Sequence, residues 1–141
     1  MTSLKLACGG VIIDTEGRIL LREPSGHFDG YVWTFSKGRP ERGETPEKAA
    51  LREVWEETGV FAEIVDRIPG TFSGGTTENI YFLMRPTGQC RPPDKETWSV
   101  RWVTPDEARV LISETTNRVG RKRDLAVLEA ALTLRSGVEL T

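Results

Sequence analysis

The chain has 141 residues, of which 38% are hydrophobic, and its 19 basic and 21 acidic side chains leave a formal net charge of −2. This length predicts one domain over residues 1–141 with a buried core. The near-neutral charge disfavours nucleic acid and anionic membranes as partners. Cys8, Cys90 and the single histidine, His27, offer neither a disulfide framework nor a zinc site, so any metal should be a hard cation bound through oxygen.

The sequence also lacks the signals of export and membrane insertion. No apolar run approaches the roughly 20 residues that a membrane span needs. The first ten residues, MTSLKLACGG, contain no long apolar segment typical of a secretory signal. We therefore expect a cytoplasmic protein without a membrane partner. We also expect this protein to be a monomer or a homodimer.

Apolar and β-branched residues predict three strands before the first helix. Residues 4–14 and 19–22 are expected to pair as a hairpin across a Glu-Gly turn. Residues 23–30 are polar and predict a loop, and residues 31–35 (YVWTF) predict the third strand.

The strongest helix signal covers Pro46–Thr58. Thr45 is suited to the N-cap, and the proline at N1 loses no hydrogen bond there. Gly59 is suited to end the helix because glycine readily adopts the left-handed conformation. The boundaries of this helix are therefore predicted from local residues alone.

The rest of the chain alternates strand and helix signals. Strands are predicted within 61–72 and 78–86 and at 98–103, and helices at Pro105–Ile112 and 123–135. Interspersed strands and helices indicate an α/β or α+β fold, with both parallel and antiparallel pairing.

Three glutamates crowd one face of the first helix. At 3.6 residues per turn, Glu53, Glu56 and Glu57 span roughly 100° of the helical wheel, opposite an apolar face. Like charges at this spacing cost roughly 0.2–0.5 kcal/mol per pair, and Arg52 is the one nearby cation on the helix. A solvated surface is one explanation, and a bound Mg²⁺ or Mn²⁺ is the other.

The residues around this cluster resemble the Nudix box at each of its defined positions. Gly38, five residues, Glu44 and seven residues precede the run REVWEETGV, which ends at Val60 and completes the box at 38–60. The flanking segments CGGVIID, ILLRE and RWVTPDEA are also similar to Nudix proteins. The resemblance implies an α/β/α sandwich with a mixed sheet, in which the box helix packs on one side.

The resemblance further implies hydrolysis of a nucleoside diphosphate linked to another moiety, with Mg²⁺ or Mn²⁺ as cofactor. The implied metal ligands are Gly38, through its carbonyl, Glu53, Glu56 and Glu57. Arg52 is implied to orient these carboxylates by ion pairing, with Glu44 in support.

The resemblance leaves the identity of the general base open. We expect Glu53 to take the proton from the attacking water. Some Nudix proteins use a glutamate of a downstream loop, and Glu96 is the corresponding candidate here, unless it is a plain loop residue. Gly43 and Gly59 are implied to shape the backbone around the helix.

The substrate must be inferred from residues outside the box. Lys37 in WTFSKG resembles the FPKG segment of members that act on dinucleoside polyphosphates or diphosphoinositol polyphosphates, with Ser36 in place of the proline. Lys37, with Arg22 or Arg39, would hold additional phosphates. Tyr81 resembles an aromatic residue of diadenosine-polyphosphate members, and is expected either to stack on a base or to lie in the core.

A basic segment at 117–124, NRVGRKRD, is expected to form the solvated start of the last helix, although contact with a polyphosphate or an RNA end stays open. The leading hypothesis is a Mg²⁺-dependent pyrophosphohydrolase of dinucleoside polyphosphates, with a small-molecule nucleotide as its partner. The alternatives are a nucleoside triphosphate pyrophosphatase and a domain that senses a nucleotide without cleaving it.

Overall fold

The computed structural model describes residues 5–139, so the first residue of the strand expected at 4–14 lies outside the described range. The strands are β1 Lys5–Ile12, β2 Ile19–Pro24, β3 Ser36–Gly38, β4 Val60–Arg67, β5 Phe72–Ser73, β6 Thr77–Cys90 and β7 Thr97–Val103. The helices are α1 Pro46–Thr58, α2 Pro105–Ile112 and α3 Arg118–Glu139, and a run of tight turns covers Ser25–Gly30. Within 5–139, no helix has the length and apolar character that crossing a bilayer requires.

The strands form one large mixed sheet and one small antiparallel sheet. The large sheet has the order β3-β1-β6-β4, with β5 also paired to β6. β1 runs parallel to β6, and the other pairings are antiparallel. The small sheet consists of β2 and β7. The predicted α+β class with a mixed sheet is therefore confirmed.

The large sheet is covered on both faces, because successive strand residues point to opposite sides. Ile12 and Phe82 belong to a core that also contains Val54 of α1. Val11 and Leu83, their neighbours in sequence, belong to a second core with residues of α2 and α3. The box helix thus packs on one face of the sheet, and the last two helices belong to the other.

The predicted bounds of α1 are confirmed at both ends. The Thr45 hydroxyl accepts a hydrogen bond from the amide of Lys48 at 3.2 Å. Gly59 has a left-handed conformation (φ 78°), and a Cβ there would collide with the backbone of Arg91. Glycine is therefore required twice at this position, by conformation and by space.

The predicted hairpin between the first two strands is wrong. β1 is occupied on both edges, by β3 and by β6, so β2 pairs with β7 instead. Within residues 5–139, one isolated bridge, between Ile13 and Ile19, joins the two segments as antiparallel neighbours.

The strand predicted at residues 31–35 is also wrong, since only Thr34 forms a bridge there, with Arg22. Trp33 and Phe35 are buried in the core by an irregular segment, and the strand that follows is β3. The last helix begins five residues earlier than the predicted 123–135 and extends beyond it. The Asn117 side chain accepts from the amide of Gly120 at 3.0 Å, and this interaction caps a first turn whose sequence does not favour a helix.

Candidate active site

Arg52 holds three glutamates of the box region together. Its guanidinium makes a bidentate pair with Glu44, at 2.8 Å and 2.9 Å. Its Nη1 atom lies 2.8 Å from Glu53 and 3.2 Å from Glu56. Its Nη2 atom also donates to the carbonyl of Arg39 at 3.2 Å. This geometry supports the orienting role proposed for Arg52.

The pairing of Arg52 with Glu44 shifts the pKa values of both side chains. The hydrogen bond from Arg52, together with one from the amide of Glu41, lowers the pKa of Glu44 to about 2. The same pairing with Glu44 raises the pKa of Arg52 above its usual range. Glu44 therefore stays charged and fixes the guanidinium in position.

Glu57 lies in a different environment, although it belongs to the same helix. Its carboxyl is buried, and it accepts a hydrogen bond from the amide of Lys37 at 3.1 Å. The nearest cation is Arg22, whose Nη1 atom is 3.6 Å away. Burial raises the pKa of Glu57 to about 8, and the charge of Arg22 opposes this only in part.

Gly38 is required by the close approach of the box loop to Glu53. A Cβ at position 38 would collide with the Glu53 carboxylate. Burial raises the pKa of Glu53, while its hydrogen bond with Arg52 opposes that shift. Gly43 has a left-handed conformation (φ 80°), which agrees with a backbone-shaping role.

The residue types at this site fit a hard divalent cation. Glu53, Glu56 and Glu57 offer carboxylate oxygens, and Gly38 admits a carboxylate directly beside its backbone. In the conformation described for residues 5–139, no three acidic, histidine or cysteine side chains form a group that could hold an ion. Two of these glutamates, Glu53 and Glu56, are held by Arg52, whereas the partners of Glu57 are Arg22 and the amide of Lys37.

A cavity of about 650 Å³ opens beside Glu57. Lys37 and Arg22, two of the predicted phosphate ligands, lie on its wall, and so does Glu96. Burial lowers the pKa of Lys37, and the charge of Arg123 adds to this shift. The sequence therefore identified three side chains that meet at this cavity from three separate segments.

Two other predicted ligands do not reach the cavity wall. Tyr81 is fully buried in the core, where its ring packs edge-on against Phe72 with 5.9 Å between the centroids. It presents no free ring face to a substrate. Arg39 is exposed, and its carbonyl accepts a hydrogen bond from Arg52.

Glu96 lies at the edge of the cavity on an exposed loop. Its carbonyl accepts hydrogen bonds from Arg22 Nη2 and from the amide of Ser25, both at 2.9 Å. Its backbone thus connects two walls of the cavity, and its side chain is exposed.

Phe28, Tyr31, Lys95 and Arg123 also line the cavity, and the sequence did not identify the first three as candidate ligands. A usable signal was present at 25–30, where SGHFDG places an aromatic residue among turn-forming residues in a polar loop. Arg123 belongs to the basic segment 117–124, for which contact with a phosphate had been left open.

Comparisons with known proteins identify the family of this chain. The family model for the NUDIX domain matches residues 3–124. A MutT-like protein of Streptomyces ambofaciens is 35% identical over 112 residues, which cover 77% of this chain and 70% of that protein. An RNA pyrophosphohydrolase of Erythrobacter litoralis is 32% identical over 132 residues, which cover 74% of this chain and 79% of that protein.

A solved structure shares the fold. A NUDIX hydrolase from Nitrosomonas europaea superimposes with a TM-score of 0.73 and 22% identity. The match covers 92% of this chain and 72% of that protein.

Proposed function

Because this chain belongs to the Nudix hydrolase family, we propose that it is a Mg²⁺- or Mn²⁺-dependent pyrophosphohydrolase of dinucleoside polyphosphates. The observation that carries the proposal is the shared cavity wall of Glu57, Arg22 and Lys37. A carboxylate from the box and two cations that suit phosphate oxygens meet there at one opening.

The box glutamates supply the chemistry of this proposal. A divalent cation bound by Glu53, Glu56 and Glu57 would neutralise phosphate charge and activate water for attack on phosphorus. Glu53 is the proposed general base and accepts the proton of the attacking water while the phosphoanhydride bond breaks. Arg52, at 2.8 Å, would hold this carboxylate in place.

The cations on the cavity wall supply the preference for a polyphosphate. Lys37 lies directly before the box loop, and Lys95 lies beside Glu96 on the same cavity. Arg22 donates from Nε to the Thr97 hydroxyl and from Nη2 to the Glu96 carbonyl. Its remaining nitrogen atom, Nη1, lies next to Glu57. A chain of phosphates passing Glu57 would meet all three cations.

A second candidate substrate is the 5′-triphosphate end of RNA. The relative from Erythrobacter litoralis is named as an RNA pyrophosphohydrolase, and this substrate has the same phosphoanhydride chain beside a 5′-nucleoside. The near-neutral charge of the chain offers no broad basic surface for the rest of an RNA strand. We therefore prefer the smaller dinucleotide.

The test is product release from a substrate panel in the presence of Mg²⁺ or Mn²⁺. The panel contains diadenosine tetra- and hexaphosphate, nucleoside triphosphates, a 5′-triphosphorylated RNA oligonucleotide and ADP-ribose. We expect the highest kcat/KM for a dinucleoside polyphosphate, with loss of turnover in Glu57→Gln. Preferential cleavage of the RNA would show that RNA, and not a dinucleoside polyphosphate, is the preferred substrate. Nucleotide binding without any cleavage would indicate a nucleotide-sensing domain in place of a hydrolase.

A further inference from the structure

Phe28 is an apolar side chain that the fold holds in solvent at the edge of the cavity. It is 76% exposed and lines the same cavity as Glu57. Large apolar side chains are normally stabilised by removal from water, and among residues 5–139 Phe28 is the most exposed side chain of this kind. An exposed apolar ring beside a binding cavity is suited to stack on a planar ligand.

The backbone around Phe28 is fixed in an unusual conformation. His27 and Asp29, its two neighbours, both have positive φ angles, 48° and 56°, which residues other than glycine rarely adopt. The segment is anchored where it begins, because the Ser25 amide donates to the Glu96 carbonyl at 2.9 Å. The exposure of the ring is therefore imposed by an anchored turn.

Arg123 provides hydrogen-bond donors at the wall of the same cavity. Its side chain is only 2% exposed, and Nε donates to the buried carboxylate of Asp124 at 3.1 Å. Within residues 5–139, Nη2 has no hydrogen-bond partner. The centre of the guanidinium lies 5.4 Å from the centroid of the Tyr31 ring, which also lines the cavity.

The pairing of Arg123 decides which ligand group suits it. Asp124 offsets its charge in direct hydrogen-bond contact, whereas no carboxylate of residues 5–139 forms an ion pair with Lys37 or Lys95. A neutral acceptor next to an aromatic wall fits this guanidinium better than another phosphate, which the lysines already serve. Carbonyl and ring nitrogen atoms of a nucleobase are acceptors of that kind.

We propose that Phe28, Tyr31 and Arg123 form a pocket for the nucleobase of the substrate, in which Phe28 stacks on the base and Arg123 donates to its edge. The inference rests on the proposed function for the identity of the ligand as a nucleotide. It extends the proposed function by identifying the residues that recognise the nucleobase.

The donor-only chemistry of arginine gives the pocket a preference among bases. Guanine presents two adjacent acceptors, O6 and N7, to a guanidinium. Adenine presents N7 beside an amino donor, which Arg123 cannot satisfy. We therefore expect guanine nucleotides to bind more tightly than adenine nucleotides.

The experiment measures binding without turnover. GMP, AMP and ribose 5-phosphate contain no phosphoanhydride bond, so none is a substrate for the proposed hydrolysis. Each is titrated into the ¹⁵N-labelled chain, and dissociation constants are obtained from amide chemical shifts. We expect GMP to bind about tenfold or more tightly than ribose 5-phosphate, as one stacked base contributes. Only the nucleotides should shift the amides of residues 25–31.

Substitution of Phe28 distinguishes the contribution of the base pocket to binding affinity from that of the phosphate contacts. Phe28→Ala should remove the advantage of GMP over ribose 5-phosphate, and Phe28→Tyr should retain it. Phe61→Ala is the matched control, because Phe61 is also exposed but does not border the cavity. Equal affinities for GMP and ribose 5-phosphate, or unchanged GMP binding in Phe28→Ala, would overturn the inference.

Arg123→Lys tests the edge contact while keeping a positive charge beside Asp124. The unmodified chain should favour GMP over AMP by about fivefold or more, and the variant should bring this ratio close to one. AMP binding as tightly as GMP in the unmodified chain would contradict the role of Arg123. If GMP binds as expected but no panel substrate is cleaved, the proposed hydrolysis is rejected and the nucleobase pocket is retained.

Discussion

The site contains two arginine–glutamate groups that differ in almost every physical respect. Arg52 and Glu44 form a bidentate pair at 2.8 Å and 2.9 Å, which lowers the pKa of the carboxyl to about 2. Arg22 and Glu57 are 3.6 Å apart and buried, and burial raises the pKa of that carboxyl to about 8. The same two residue types therefore give one complete ion pair and one carboxylate with too little compensating charge.

The difference arises from what else each guanidinium binds. Arg52 is surrounded by carboxylates, since it also contacts Glu53 and Glu56. Arg22 uses its other nitrogen atoms for the Thr97 hydroxyl and a backbone carbonyl. The first group is suited to fix the geometry of the box, and the second leaves the charge of Glu57 only partly compensated, as we propose for a ligand of an added cation.

The largest expected effect is that of Glu53→Gln, which keeps the shape of the side chain and removes the proposed base. Turnover of the preferred substrate should fall by about 10²–10⁴-fold, because general-base catalysis contributes on this scale. Stopped assays of product formation with Mg²⁺ would measure it, with circular dichroism as the control for folding. Near-normal turnover in Glu53→Gln, together with an inactive Glu96→Gln, would show that the general base is Glu96 and not Glu53.

Arg52→Lys tests whether the complete ion pair does more than neutralise charge. Lysine keeps the charge but cannot make the bidentate contact with Glu44 while also reaching Glu53. We expect kcat to fall by about 10–100-fold, the usual cost of losing a group that orients ligands. An unchanged kcat would show that the group acts only through its charge.

Thr45→Ala weakens the start of the helix that carries Arg52 and Glu57, one member of each group. The hydroxyl contact with the Lys48 amide at 3.2 Å would be lost, and the free energy of unfolding should fall by about 1 kcal/mol. Urea denaturation measures this change. A loss of activity far larger than the loss of stability would indicate that the cap also sets the position of the glutamates.

Arg39→Ala should have the smallest effect. The hydrogen bond from Arg52 is accepted by the backbone carbonyl of Arg39, and the substitution retains this carbonyl. We expect KM to change by about twofold at most, in line with an exposed side chain. A large increase in KM with an unchanged kcat would restore Arg39 as a phosphate ligand.

Local residues were sufficient to predict the box helix and the types of residue at the site. Thr45, Pro46 and Gly59 define the helix ends through short-range interactions, and the structure confirms these ends. The burial of Glu57 was not predictable in this way, because it depends on Lys37 and Arg22, which lie 20 and 35 positions away in the sequence.

The errors outside the box have the same origin. Tyr81 lies on a strand that is buried on both faces, so alternation could not distinguish a core residue from a ligand. The strand predicted at 31–35 was inferred from apolar residues that are buried by an irregular segment. Phe28 and Arg123 meet at one cavity only through packing between distant segments.

The most direct test of the central claim is the binding of Mn²⁺, followed by electron paramagnetic resonance, to the unmodified chain and to two matched variants. Glu57→Gln removes the buried carboxylate, and Glu47→Gln makes the same change in the exposed first turn of the same helix. We predict that Glu57→Gln weakens binding by about tenfold or more, while Glu47→Gln leaves it unchanged. Equal Mn²⁺ affinity in all three proteins would contradict the assignment of Glu57 as a metal ligand.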